Sequence, residues 1–297
     1  MSRHIVIAGS SGLIGGAVVA ALREAGDRVT RLVRRSPSGV DEAQWSPADG
    51  RLDPALLDGA DAVISLGGAS VGRLPWTSRY RDEILRSRLD ATRTIVRALD
   101  ALGGDPPPLL SASGAGFYGS APGAVLTERS PAGTTFLARV CVQWEHEARK
   151  IEHRTRVALL RTAPVIHRDG VLKPMITLTR SGLGGPLGGG RQIWPWISLE
   201  DEVRGILHVL ERGLAGPINF TGPEPASQNR IGRALAEELH RPYWLPAPAW
   251  GLRLVLSPAA TESLLTSDAD VRPDALTGSG FVFSHPTPER AIAAALG

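Results

Sequence analysis

The chain has 297 residues, enough to bury a substantial core as one large α/β domain or as a nucleotide domain with a smaller partner. Its 33 Lys and Arg against 30 Asp and Glu leave a formal charge of +3, spread along the chain without a basic block, so nucleic acid is not an implied partner. A single cysteine excludes an internal disulfide and a cysteine metal cluster, the seven histidines show no H-x-x-x-H or comparable ligand spacing, and no apolar run reaches the ~18–20 residues that cross a bilayer.

Met1-Ser2-Arg3-His4 runs straight into the apolar Ile5-Val6-Ile7-Ala8, leaving no room for a cleavable leader and pointing to a cytoplasmic protein. The next residues, Gly9-Ser10-Ser11-Gly12-Leu13-Ile14-Gly15, lead into a stretch with Ala17, Val18, Ala21, Leu22 and Ala25 at helical spacing and Gly26 as a stop. Strand, glycine turn and helix is the layout of a dinucleotide site: Gly9 permits the tight turn, Gly12 lets backbone approach a pyrophosphate, and Gly15 lets the helix pack closely. The phosphates would sit on free N–H groups at the helix N-terminus. Residues 29–33 alternate as a second strand, and where an acidic side chain would accept a ribose 2′-hydroxyl the chain has Val33-Arg34-Arg35. Guanidinium pairs with phosphate, so Arg34 and Arg35 favour NADP(H) over NAD(H), the alternative being a solvated basic turn.

Asp61-Ala62-Val63-Ile64-Ser65-Leu66 reads as a buried parallel strand ending at Gly67-Gly68-Ala69, and Leu66, Gly67 and Gly68 lie at the sheet edge where such folds bind ligands. A long helix over 78–102 carries Leu85, Leu89, Thr92, Val96 and Leu99 inward. Arg88 shares a row with Ile84, Ala91 and Ile95, so its stem lies against the sheet and its guanidinium reaches either a structural carboxylate or a cofactor phosphate, with Glu83 a weaker candidate one turn earlier. After Pro106-Pro107-Pro108 a strand over 109–113 empties into Gly114-Ala115-Gly116-Phe117-Tyr118-Gly119. Ser113 and Tyr118 there could hydrogen-bond a carbonyl or alcohol beside a nicotinamide, or serve as a cap and a packed ring.

A helix over 134–152 turns Leu137, Val140, Cys141, Trp144, Ala148 and Ile151 inward, which makes Cys141 an inert buried thiol. Residues 157–163 give a sixth strand, with Pro164-Val165 at its end placed to border a nicotinamide ring. Beyond 166 come a glycine-rich stretch over 182–190 and then Arg191-Gln192-Ile193-Trp194-Pro195-Trp196. Ser198 and Asp201 form a capping box for a helix to about Arg212, Ile218-Asn219-Phe220 reads as a returning strand, Ser227 caps a helix over 228–240, and a short helix closes the chain over 288–296.

Together these segments resemble the short-chain dehydrogenase/reductase superfamily, in its atypical, nucleoside-diphosphate-sugar epimerase-like branch with a C-terminal domain of unknown function. The resemblance runs over 5–296 and rests on Gly9 to Gly15, Leu66-Gly67-Gly68-Ala69, Trp76 with Ser87-Arg88, Ser113 to Gly119, Trp144-Glu145, Gly182-Leu183-Gly184-Gly185-Pro186-Leu187-Gly188 and Trp196-Ile197. It implies a doubly wound parallel Rossmann sheet over 1–165, with 198–225 returning to it, and a smaller substrate-side unit from 166–197 and 226–297. It also implies NADP(H) contacts at Val33, Arg34, Leu66, Gly67, Glu83, Arg88 and Val165, and favours the phosphate role for Arg88. Arg191, Gln192, Trp194 and Trp196 match the segment that lines the sugar-nucleotide pocket in extended members, which makes them substrate-site candidates for a small molecule. One departure stands out: the superfamily's active-site tyrosine and lysine, four residues apart, are replaced by Leu137 and Cys141. That loss costs roughly 10²- to 10⁴-fold unless another acid substitutes. The leading expectation is an NADP(H)-dependent oxidoreductase or epimerase-like enzyme, and the alternative is a regulator that senses the NADPH/NADP⁺ ratio.

Overall fold

The computed structural model describes residues 2–297. Seven parallel strands make the central sheet: β1 His4–Ala8, β2 Arg28–Val33, β3 Glu42–Gln44, β4 Ala62–Ser65, β5 Leu109–Gly114, β6 Val157–Thr162 and β7 Gly216–Phe220, in the order β7-β6-β5-β4-β1-β2-β3. The order reverses between β1 and β4, so the crevice outside their carboxyl ends is the place a ligand enters such a sheet.

Helices cover both faces, which is why β1 and β4 are buried and, apart from His4 and Ser65 at their ends, apolar. On one face α1 (Leu13–Glu24) and α5 (Leu199–Arg212) pack Val18, Leu22, Val203 and Ile206 onto Ile5, Ile7, Ile64 and Leu160. On the other, α2 (Ser78–Asp100) and α3 (Phe136–Arg149) set Ile95, Leu99 and Ala148 against Val6, Val63 and Leu159. Each of the Val, Leu and Ile side chains contributes about 1.5–3 kcal/mol by leaving water. Thr77, Thr135 and Ser198 start their helices by accepting an amide of the first turn.

A third core stands apart from the sheet: Trp194, Trp196 and Ile166 meet Leu172 of α4 (Leu172–Arg180), Ile231 and Leu235 of α6 (Gln228–Glu238) and Ile292 of the last helix, Pro288–Leu296. The tail does not stay with it. Leu276 and Phe281 return to the sheet core, and Asp270–Val271 pairs in parallel with Val125–Leu126. The edge strand β3 carries no apolar run, and its pairing with β2 instead comes with the ion pairs of Glu42 to Arg31 and Arg35. None of the described helices is long and apolar enough to cross a membrane.

Candidate cofactor site

The glycine turn meets the demands of a phosphate cradle. Gly9 has φ +89°, and a Cβ there would lie 2.7 Å from the Leu66 carbonyl carbon, so the turn is pressed against the end of β4. At Gly15 a Cβ would fall 2.2 Å from the Gly9 carbonyl oxygen, which fixes how closely α1 approaches the turn. Gly12 caps α1 without any side-chain bond, and no acidic residue occupies the first turn. The amides of Leu13, Ile14 and Gly15, the first of α1, therefore receive no side-chain cap, beside the accessible Ser10 and the exposed Ser11.

At the end of β2 the two arginines separate. Arg35 gives Nη1 and Nη2 to the two oxygens of Glu42 at 2.7 and 2.6 Å, and that bond, with the Ser38 amide, holds the Glu42 carboxyl down at about 2. Arg35 is thus committed to a carboxylate, contrary to the expectation of a phosphate ligand. Its neighbour Arg34 is exposed beyond Val33, whose carbonyl accepts the Trp45 amide.

Across the crevice, Leu66, Gly67 and Gly68 leave β4 toward α2. Ser87 holds this loop by accepting the Ala69 amide at 2.9 Å. Arg88 lies under it, Nη1 donating to the Ala69 and Ile84 carbonyls at 3.1 and 2.9 Å and Cζ stacking 5.1 Å from the Trp144 ring centroid. A Cβ on Gly68 would touch Arg88 Cζ at 3.1 Å, so the missing side chain is what lets the guanidinium lie flat there. No carboxylate pairs with it among the described residues, and burial lowers its pKa. A guanidinium at a sheet edge with backbone carbonyls but no carboxylate around it has the charge to take an anion. Glu83 sits one turn earlier, exposed, on the row of Ser87. Pro164 is exposed past β6, while the Val165 side chain turns into the sheet core.

The β5–α3 end differs from expectation. Ser113 and Tyr118, 6 % and 2 % exposed, belong to a sealed network. Ser113 donates to Glu145 Oε1 at 2.8 Å; Arg161 donates Nε and Nη2 to the Glu145 oxygens at 2.8 and 2.9 Å and Nη1 to the Tyr118 hydroxyl at 2.9 Å; Tyr118 donates to Asn219 Oδ1 at 2.7 Å. Burial raises the Tyr118 pKa, so the phenol stays protonated. Neither hydroxyl is left for a reacting oxygen, because an ion pair at the centre of a core needs every surrounding polar group. Arg161 and Glu145 carried a signal in the sequence: each is a charge in an otherwise apolar inward row. Leu137 and Cys141 stand in the places of the expected acid and its cation. Cys141 is buried with its thiol pushed up to about 11, inert as the sequence implies.

Three of the four substrate-side residues are also structural. Gln192 donates Nε2 to the Leu187 and Leu265 carbonyls, Trp194 donates to Leu265 and Trp196 to Glu224. Trp196 is 2 % exposed and fills the space left by Gly222, where a Cβ would fall 2.5 Å from its ring. Of the four, only Arg191 is exposed. A surface hollow of about 430 Å³ lies at the opposite, amino edge of the sheet, between 152–157 and Ala215-Gly216; its Arg154 and Arg156 are spent on backbone carbonyls.

An uncapped helix N-terminus behind a glycine turn, at the point where strand order reverses, defines a dinucleotide-binding Rossmann protein of the short-chain dehydrogenase type. The chain belongs to the NAD dependent epimerase/dehydratase family, whose model matches residues 5–220, and a domain of unknown function, DUF1731, matches 247–295. It is 38 % identical over 291 residues to epimerase family protein Mb2239 of Mycobacterium bovis, covering 97 % of this chain and 96 % of that protein. Among solved structures it is similar to human epimerase family protein SDR39U1 (isoform 2), determined with NADPH, at TM-score 0.89 and 26 % identity over 98 % of each chain. The UDP-glucose 4-epimerase of Thermotoga maritima, determined with UDP-glucose, shares the fold at TM-score 0.79 and 16 % identity over 99 % of this chain and 97 % of that one.

Proposed function

We propose that the protein binds NADP(H) in preference to NAD(H) and exchanges hydride with a carbonyl or alcohol of a small molecule, slowly, because no side-chain acid stands where the family keeps one. The observation that carries the coenzyme part is the division of labour at β2: Glu42 occupies Arg35 and leaves Arg34 free for a 2′-phosphate. The backbone amides of α1's first turn would hold the diphosphate, and Arg88, unpaired at the β4 end, would complete the anionic side. The human relative solved with NADPH supports the same choice. The nicotinamide supplies the hydride.

Leu137 and Cys141 offer no proton, and Ser113 and Tyr118 are held by Glu145, Arg161 and Asn219. The proton that balances hydride transfer is then taken from water. The sealing of these hydroxyls also favours a second reading, a sensor of the NADPH/NADP⁺ ratio, since coenzyme affinity outlives the loss of an acid–base pair.

One experiment separates the readings: NADPH is mixed with the protein and a panel of carbonyl compounds, sugar nucleotides included, and oxidation is followed beside direct binding. Slow oxidation of one compound supports the oxidoreductase. Tight binding with no oxidation across the panel, and a partner whose affinity follows the coenzyme's redox state, supports the sensor. Failure to bind NADPH sinks both.

A further inference from the structure

Glu202 opens the inward stripe of α5, ahead of Ile206 and Val209. It is 1 % exposed. Oε1 accepts the Thr162 hydroxyl at 2.7 Å, and Oε2 is buried with no hydrogen-bond partner. Among the described residues no charge meets it from the elements packed around it. On α5, Asp201 is bound to Ser198 and to the amides of Ser284 and His285, and Arg204 reaches Asp201 and Ser284. His285, from the tail, faces Ser198 and Asp201. On β6, Arg161 points through the other face of the sheet into Glu145. α1 has no acid in its first turn, and its arginine lies in its last. Burial without a counter-charge pushes the carboxyl up to about 8, so at neutral pH it is the uncharged acid.

Its place gives that proton a use. Thr162 ends β6, two residues before Pro164, and Leu13 and Ile14 of the phosphate turn pack in one cluster with Ala163, Val165 and Val203. A dinucleotide with its 2′-phosphate at β2 and its diphosphate at α1 would extend along the carboxyl edge toward the β5–β6 side, where Thr162 holds this carboxyl. Resting on the NADP(H) reading, we infer that Glu202 is a proton partner of the coenzyme, keeping its proton while the neutral reduced ring is bound and releasing it to solvent when the cationic oxidised ring binds. The step balances as carboxylic acid plus NADP⁺ giving a carboxylate–NADP⁺ complex and one proton, with no electron moved. A nearby positive charge lowers an acid's pKa by about 1–3 units, and each unit is about tenfold in relative affinity.

The test is isothermal calorimetry of NADP⁺ and of NADPH binding in two buffers of different ionisation enthalpy, which counts protons directly. Both coenzymes carry the 2′-phosphate, so the difference between them isolates the ring. NADP⁺ should release a large fraction of one proton more than NADPH, and its affinity relative to NADPH should rise about tenfold or more as pH passes from below to above the Glu202 pKa. In Glu202→Gln, which keeps the shape and can still accept the Thr162 hydroxyl, both differences should vanish. Infrared difference spectra should show a carboxylic-acid carbonyl band lost on adding NADP⁺ to wild type. Equal proton release by the two coenzymes in wild type, or a difference that survives in Glu202→Gln, overturns the inference while leaving NADP(H) binding intact. If neither coenzyme binds, the inference falls together with the reading it rests on.

Discussion

The two ends of the carboxyl edge treat their polar groups in opposite ways. Around β1, β2 and β4 they are left open: the first amides of α1 are uncapped, Arg34 is exposed, and Arg88 has no carboxylate. On the α3 face of β5 and β6 they are used up, since Ser113, Glu145, Arg161, Tyr118 and Asn219 satisfy one another inside the core. Unspent donors cost free energy unless a ligand takes them, whereas a closed network stabilises only the fold. On the proposed reading the first end holds the coenzyme phosphates and the closed network is architecture, and each can be broken separately.

The largest effect is expected from Arg161→Met. Besides Glu145 and Tyr118, the guanidinium lies 3.5 Å from the Phe117 ring centroid, and it is 3 % exposed. Removing it leaves the buried Glu145 carboxylate with only the Arg149 guanidinium, 4.0 Å away, as counter-charge, which costs about 3–5 kcal/mol. Urea denaturation should record that loss, while the folded fraction binds NADPH within about twofold of wild type. Normal stability with lost coenzyme binding would reverse the assignment of the two ends.

Gly15→Val attacks the open end. The first branch carbon would sit 2.2 Å from the Gly9 carbonyl oxygen, so α1 must move away from the turn. NADPH affinity should fall about 100-fold or more, about 2.8 kcal/mol, with circular dichroism recording whether the fold persists. A folded variant that still binds tightly would mean the phosphates lie elsewhere.

The arginine pair sharpens the picture further. A charge-assisted bond is worth about 1.5–3 kcal/mol, so Arg34→Ala should weaken NADPH about 10- to 100-fold and leave NADH nearly unchanged. Arg35→Ala should shift the NADPH/NADH ratio by less than about threefold and act mainly on the β2–β3 edge, where it strips Glu42 of its bidentate partner. Titrations of both coenzymes into both variants check this, and a collapse of the ratio in Arg35→Ala alone would exchange their roles.

How far these features could be read in the sequence follows from what fixes each one. The glycine turn, the strand–helix alternation, the caps at Ser198 and Ser227 and the buried state of Cys141 depend on local pattern, and they stand where the pattern puts them. Edge strand β3 was not legible, because its three residues are held by pairing to β2 and by ion pairs and not by an apolar run. Arg34 and Arg35 looked alike until the fold brought Glu42 across from seven residues on. Trp194 and Trp196 looked like pocket walls because aromatic residues in a glycine-rich segment serve either purpose, and Gly222, 26 residues beyond Trp196, decides it. Glu202 was hidden behind its neighbour's capping box, although an acid in the row of Ile206 and Val209 is a visible anomaly.

The smallest effect, and the sharpest test of the closed end, is expected on turnover from Ser113→Ala combined with Tyr118→Phe. If either hydroxyl passed a proton to the reacting oxygen, losing both should slow hydride exchange roughly 10²- to 10⁴-fold. The geometry argues otherwise. The Ser113 proton is given to Glu145, the Tyr118 proton to Asn219, and Arg161 holds the phenol oxygen from the other side. A proton can leave that network for substrate only by stranding a buried charge, which is dearer than taking one from water. The double variant should therefore lose stability, about 1–3 kcal/mol for the partners left without a hydroxyl, and keep any measurable turnover within about twofold once corrected for the folded fraction. A hundredfold drop at full folding would show that the network opens during reaction, and the division between a binding end and an architectural end would then describe only the resting protein.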